Sequence, residues 1–94
     1  MTHADAAHVV DLARQDLAAA LDHLGDHAMS GWLARGAIDH VTANAGLLAP
    51  EAWCLGFAAA YLAAGKLDRA VRYAALVLAN VRPFLTRERT NDAC

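Results

Sequence analysis

The sequence has few cysteines, no long apolar run and no strand pattern, and each shortage excludes a class of protein. Its two cysteines, Cys54 and Cys94, do not make the disulfide framework of a secreted domain, so we expect a reducing, cytoplasmic location. The longest apolar run without a charge, residues 52–65, has 14 residues, fewer than the roughly 20 that span a bilayer. No alternating segment or hairpin dipeptide predicts a strand. We therefore expect a soluble all-α protein without a membrane segment or signal peptide.

Signatures of common catalytic sites are also missing. The chain has no glycine-rich phosphate loop, no nucleophile elbow and no paired catalytic carboxylate motif. Cys54 lies in an apolar helical run without a neighbouring base in sequence, which is typical of an inert thiol. We expect no cofactor, and we favour a binding role over an enzymatic one.

Apolar residues are abundant instead. Hydrophobic residues make up 57% of the 94 positions and charged residues only 19%, against about 25% charged in ordinary domains. The length predicts one domain, residues 1–86, followed by a solvated tail at residues 87–94. The apolar excess suggests that a partner or another copy of the chain covers part of the surface.

The charges are divided unevenly along the chain. Residues 1–51 hold seven acidic side chains and two arginines, a net charge of −5, whereas residues 52–94 have a net charge of +3. Such a division can pair two copies head to tail or attract an anionic partner, although two solvated faces of opposite sign would look the same. The total of −2 is too small to predict nucleic-acid or membrane binding.

Hydrophobic periodicity predicts four antiparallel helices, as a compact bundle or as two stacked hairpins. The predicted helices begin and end at Thr2 and Gly25, Asp26 and about Ala45, Pro50 and Ala64, and Leu67 and Val81. Thr2 and Asp5 form a predicted capping box. Gly25 and Gly65 are predicted to close their helices because glycine tolerates the left-handed conformation there. Pro83 is predicted to stop the last helix.

The second and third helices differ in how their apolar residues are arranged. The predicted inward row of the second helix is Met29, Leu33, Ala37 and Val41, with Trp32 beside it. The third helix has no polar face, so it is expected to be central or covered by a partner. The candidate protein-binding residues on the last two helices are Trp53, Phe57, Tyr61, Arg69 and Arg72. Lys66, Arg69 and Arg72 form a basic row, for which a solvated face is the alternative interpretation.

Residues 50–83 resemble a tetratricopeptide repeat. "PEAW" precedes the first helix of this hairpin, Ala58 and Tyr61 stand seven and four residues before Gly65, and Ala70 follows it by five. The family usually has a large aromatic residue at the position of Ala74, where this chain departs from the pattern. The resemblance implies a helical hairpin that serves as a protein-binding scaffold, not as a catalyst.

The segment "RGAIDH" suggests a different function. Arg35 and His40 have the Arg-x4-His spacing that resembles the motif of HEPN-domain ribonucleases, which are small dimerising all-α bundles. The resemblance implies that His40 acts as an acid or base while Arg35 holds a phosphate. The family favours a polar residue where this chain has Gly36, and nucleic acid remains the less expected partner.

The segment "DHLGDH" is the candidate for metal binding. His23 and His27 are four residues apart, a spacing that lets two imidazoles on one helix bind one metal ion. Gly25 is predicted to interrupt the helix between them, so turn residues without a metal are the simpler interpretation. The favoured hypothesis is a small helical module that binds a protein partner and forms a homodimer.

Overall fold

A computed structural model of the chain describes residues 3–65 and 67–81. Within these residues every regular element is a helix, which confirms the all-α prediction. The α-helices are α1 (His3–Asp22), α2 (His27–Ala43), α3 (Trp53–Ala63) and α4 (Leu67–Asn80). Two short 3-10 turns, Ala45–Leu47 and Pro50–Ala52, lie between α2 and α3.

Helix α1 buries the apolar stripe that its periodicity predicts. Val10, Ala13, Leu17 and Ala20 are fully buried, since positions three or four apart lie on one face of a helix. The half-buried Arg14 lies beside this stripe and contacts the carboxyl end of α4. Its Nε donates to the carbonyl oxygen of Val81 at 2.9 Å, and its Nη2 donates to that of Leu78 at 3.2 Å. Arg14 therefore caps the carboxyl end of α4.

The turn between α1 and α2 is set by polar side chains. Asp26 caps α2 as predicted, because its Oδ1 accepts from the backbone N–H of Met29 at 3.1 Å. Ser30 is buried, and its hydroxyl donates to the carbonyl oxygen of Ala20 at 2.9 Å. The left-handed conformation predicted for Gly25 is wrong: α1 ends at Asp22, and Gly25 has no positive φ.

The buried row of α2 matches the prediction in part: Ala37 and Val41 are buried as predicted, whereas Met29 and Leu33 are not fully buried. Its buried residues are Ser30, Ala34, Ala37 and Val41, whereas Met29 is 41% exposed and Trp32 is 68% exposed. Neighbouring positions point about 100° apart around a helix. When the row with Ser30, Ala34 and Ala37 is buried, the adjacent large side chains of Met29 and Trp32 therefore point outward. Small side chains facing α1 let the two helices pack closely. At Gly36 a Cβ atom would lie 2.9 Å from Oδ2 of Asp16.

Helix α3 follows the 3-10 turn that Pro50 begins, as expected for a proline at the start of a helical segment. Its buried residues are Leu55, Ala58, Ala59 and Leu62. Helix α2 approaches α3 closely at Gly56, where a Cβ atom would lie 3.3 Å from Cγ1 of Val41. The opposite face of α3 remains exposed, so this helix is not enclosed on all sides.

A tight turn joins α3 to α4. Gly65 closes α3 with a φ of +79°, which confirms its predicted left-handed conformation. Helix α4 buries Ala70, Ala74 and Val77, and Val81 follows its last turn. The period of this segment predicts an apolar row of Leu67, Ala70, Val71, Ala74, Val77, Leu78 and Val81, and all four buried residues belong to it.

The helices pack in chain order. The most extensive contacts join α1 to α2 and α2 to α3, followed by those between α3 and α4, while α1 also touches α3 and α4. Four predictions rest on residues outside the described part of the chain. They concern the Thr2–Asp5 capping box, Lys66, the stop at Pro83 and the tail at residues 87–94.

Candidate functional site

An open recess between α3 and α4 brings together most of the predicted binding residues. It has a volume of about 450 Å³ and is lined by Phe57, Tyr61, Arg69 and Tyr73. The first two residues come from α3 and the last two from α4. Each pair is separated by four positions, the spacing that places two side chains one turn apart on the same helix face. We call this site the α3/α4 recess.

Aromatic rings form much of the wall of the α3/α4 recess. Tyr61 and Tyr73 pack edge to face, with ring centroids 5.8 Å apart and an interplanar angle of 78°, a favoured geometry for aromatic pairs. Phe57 is 57% exposed and Tyr61 is 51% exposed. Two large rings therefore lie at the surface beside an open recess, although burying them would be favourable.

Among the described residues that line the α3/α4 recess, the charged one is Arg69, which is exposed. Burial raises the pKa of the Tyr73 phenol, and the hydrogen bond with the Cys54 thiol raises it further. Tyr73 is therefore neutral at physiological pH. The recess offers a guanidinium, phenol hydroxyls and apolar ring surface, which suits an apolar group with an adjacent carboxylate.

A second groove, between α2 and α3, lies on the other side of Phe57. It has a volume of about 360 Å³, and its wall includes Ile38, Val41, Trp53 and Phe57. The half-buried Trp53 indole donates to the carbonyl oxygen of Ala45 at 3.2 Å. Phe57 is thus shared by this apolar groove and the α3/α4 recess.

A third cavity, the α1/α2 recess, has a volume of about 350 Å³. Its lining includes Asp16, Trp32, Arg35, Gly36 and Asp39. Because Gly36 has no side chain, the carboxylate of Asp16 can lie close to α2. Trp32, at 68% exposure, leaves more of its surface to solvent than any other large apolar residue described in the chain.

The structure therefore separates the five predicted binding residues into three places. Phe57, Tyr61 and Arg69 line the α3/α4 recess, and Trp53 lines the neighbouring groove. Arg72 is exposed on α4 but is not part of the recess wall. Sequence reasoning missed Tyr73 as a lining residue, although its position four residues after Arg69 could have indicated it.

Arg35 and His40, the candidates for ribonuclease chemistry, both lie near Asp16. Arg35 is exposed and lines the α1/α2 recess. Nε2 of His40 lies 3.3 Å from Oδ2 of Asp16, at the edge of the same recess. His40 itself is not part of the recess wall.

His23 and His27, the candidates for metal binding, lie on either side of the α1/α2 turn, and both are exposed. Nδ1 of His23 lies 2.8 Å from the carbonyl oxygen of Ala19. Among the described residues, no three His, Cys, Asp or Glu side chains are grouped so that they could hold a metal ion.

Comparisons of the chain with protein-family models, curated proteins and solved structures found no match. Across residues 3–65 and 67–81, none of the helices combines the length and apolar character that crossing a bilayer requires.

Proposed function

We propose that the protein is a small, non-enzymatic helical module of the cytoplasm that binds a protein partner and also associates with itself. The binding surface is the exposed face of α3 and α4 around the α3/α4 recess. The observation that carries the proposal is the exposure of Phe57 and Tyr61, each more than half accessible, beside the guanidinium of Arg69.

This combination has the chemistry of a protein-binding surface. Aromatic residues and arginine are enriched at the centres of interfaces, where they contribute most of the binding free energy. A recess next to exposed rings gives a partner side chain a concave site to enter, and an open apolar groove continues beyond Phe57. The expected partner segment presents an apolar side chain next to an aspartate or glutamate.

Two substitutions that leave the core intact test the proposal. Phe57→Ala removes the ring shared by the recess and the groove, and we expect it to weaken binding by about tenfold or more, as at an interface hot spot. Leu76→Ala is the matched control, because Leu76 is 61% exposed on α4 and lines neither cavity. Circular dichroism first establishes that both variants fold.

Binding is measured in two ways for the parent protein and both variants. Sedimentation velocity over a range of concentrations reports self-association, and proximity labelling in cells followed by mass spectrometry reports partners. We expect Phe57→Ala, but not Leu76→Ala, to reduce at least one of the two. A strictly monomeric parent protein whose labelled proteins are the same for all three chains would contradict the proposal.

The contact between His40 and Asp16 favours RNA cleavage as the second candidate function. A carboxylate within 3.3 Å of Nε2 can orient an imidazole that acts as general base, and the exposed Arg35 can bind a phosphate. Cleavage of a labelled RNA that is abolished by both Arg35→Ala and His40→Ala would support this function. Cleavage unchanged by either substitution, or no cleavage by the parent protein, excludes it.

A further inference from the structure

We infer that the α3/α4 recess binds the α1/α2 side of a second copy of this chain, with Trp32 as the entering side chain. This inference rests on the proposed function and adds to it the partner and the pairing of surfaces. The two surfaces that meet are unlike, so α3 and α4 of one copy do not pack against α3 and α4 of the other.

Trp32 presents a large apolar side chain to solvent on α2. Its indole is 68% exposed, although burying an aromatic side chain of this size is strongly favourable. The α3/α4 recess, at about 450 Å³, falls within the size range of sites that hold small organic groups. Inside it, the indole would contact the rings of Phe57 and Tyr61 and the guanidinium of Arg69, a favourable cation–π partner.

The two surfaces also carry side chains of opposite charge. Among the described residues of its wall, the α1/α2 recess has two carboxylates, Asp16 and Asp39, and one cation, Arg35. Arg69 lines the α3/α4 recess, and Arg72 lies one turn further along α4. The exposed carboxylate of Asp39 and the exposed guanidinium of Arg69 can therefore attract each other when the unlike surfaces of two copies meet.

The same charges disfavour the alternative arrangement of two copies. If two α3/α4 surfaces faced each other, Arg69 and Arg72 of both copies would be brought together, and like charges facing each other reduce affinity. Within the described part of the chain, Asp39 and Arg69 form no ion pair or side-chain hydrogen bond. Both are therefore available to the second copy.

Complementation between two variants tests the inference. Asp39→Arg alters the α1/α2 surface and leaves the α3/α4 recess intact, whereas Arg69→Asp does the reverse. We expect each variant alone, and Trp32→Ala, to associate at least about tenfold more weakly than the parent chain in sedimentation velocity. An equimolar mixture of the two charge variants regains association, because each supplies the surface that the other lacks.

Asp22→Arg is the matched control for charge. It makes the same change at an exposed residue of α1 that lines neither recess, and we expect association within about twofold of the parent chain. Circular dichroism excludes loss of folding in each variant. A mass-tagged copy of one charge variant shows that the restored complex contains both chains.

Two results would overturn the inference and leave the proposed function standing. In the first, Phe57→Ala weakens self-association but Trp32→Ala and Asp39→Arg do not. This result would mean that the α3/α4 surfaces of two copies meet each other. The other is a monomeric parent chain whose labelled cellular partners depend on Phe57. If neither self-association nor labelling depends on Phe57, both the inference and the proposed function fail.

Discussion

Replacing Arg14 should destabilise the protein more than its position on the surface of α1 suggests. The guanidinium donates to the carbonyl oxygens of Val81 and Leu78, at 2.9 and 3.2 Å. These carbonyl groups lie at the end of α4, where backbone oxygens lack partners within the helix and the helix dipole attracts a cation. Arg14→Met keeps much of the aliphatic side chain and removes both interactions.

The size of the effect follows from these contacts. A hydrogen bond from a charged group contributes about 1.5–3 kcal/mol to the free energy of unfolding. The two bonds of Arg14 come from one half-buried guanidinium, so their contributions do not simply add. We expect Arg14→Met to lower the free energy of unfolding by about 2 kcal/mol. For a domain of this size each kcal/mol corresponds to about 4–8 °C, so Tm should fall by about 8–16 °C.

Urea unfolding followed by far-UV circular dichroism measures this change. Arg14→Lys keeps the cation but loses the forked geometry, and it should recover about 0.5–1 kcal/mol of the loss. Gln15→Met is the control: within the described residues, the exposed Gln15 side chain bonds to Asp11 of its own helix, and its replacement should cost less than about 0.5 kcal/mol. Equal losses for Arg14→Met and Gln15→Met would refute the capping role.

Three further predictions concern local packing, pH and capping. Gly56→Ala places a methyl group 3.3 Å from Val41 and should cost about 1 kcal/mol in urea unfolding. Gly31→Ala, with nothing within 4 Å, should be neutral or stabilising. A larger loss of stability for Gly31→Ala than for Gly56→Ala would contradict the packing. Folding raises the pKa of Tyr73, so the contribution of this phenol to stability is complete below about pH 10 and falls above it. Tyr73→Phe should therefore reduce the loss of stability between neutral pH and about pH 11. An unchanged dependence of the unfolding free energy on pH would refute this. Asp26→Ala should cost about 1 kcal/mol while Asp26→Ser costs less, and equal thermal unfolding of the two would argue against the cap.

The fold could be predicted from the sequence where one physical signal dominates. The stripe of α1, the cap at Asp26 and the turn at Gly65 each follow from local chemistry. The inward row of α2 could be predicted only in part: Ala37 and Val41 are buried as predicted, but alanines and larger apolar residues occupy adjacent rows with the same period. Close packing against α1 selects the small row, and that choice is made only in three dimensions.

The candidate site was predictable to a similar extent. An apolar helix without a polar face indicated that α3 carries a covered or binding surface, and Phe57 and Tyr61 do line a recess. Tyr73 and Trp32 were missed because their exposure depends on how α2 and α4 are rotated in the fold. The contact between Arg14 and Val81 joins residues 67 positions apart, and no local pattern predicts such a pair.

The most direct test of the central claim is a dilution series followed by amide NMR spectra of the labelled chain. If the α3/α4 recess is a binding surface for a second copy, the amides of Phe57, Tyr61, Arg69 and Tyr73 shift with concentration. Those of the buried α1 stripe, such as Leu17, stay unchanged. Spectra that do not depend on concentration, or shifts confined to helix surfaces outside the two recesses, would contradict self-association through this site.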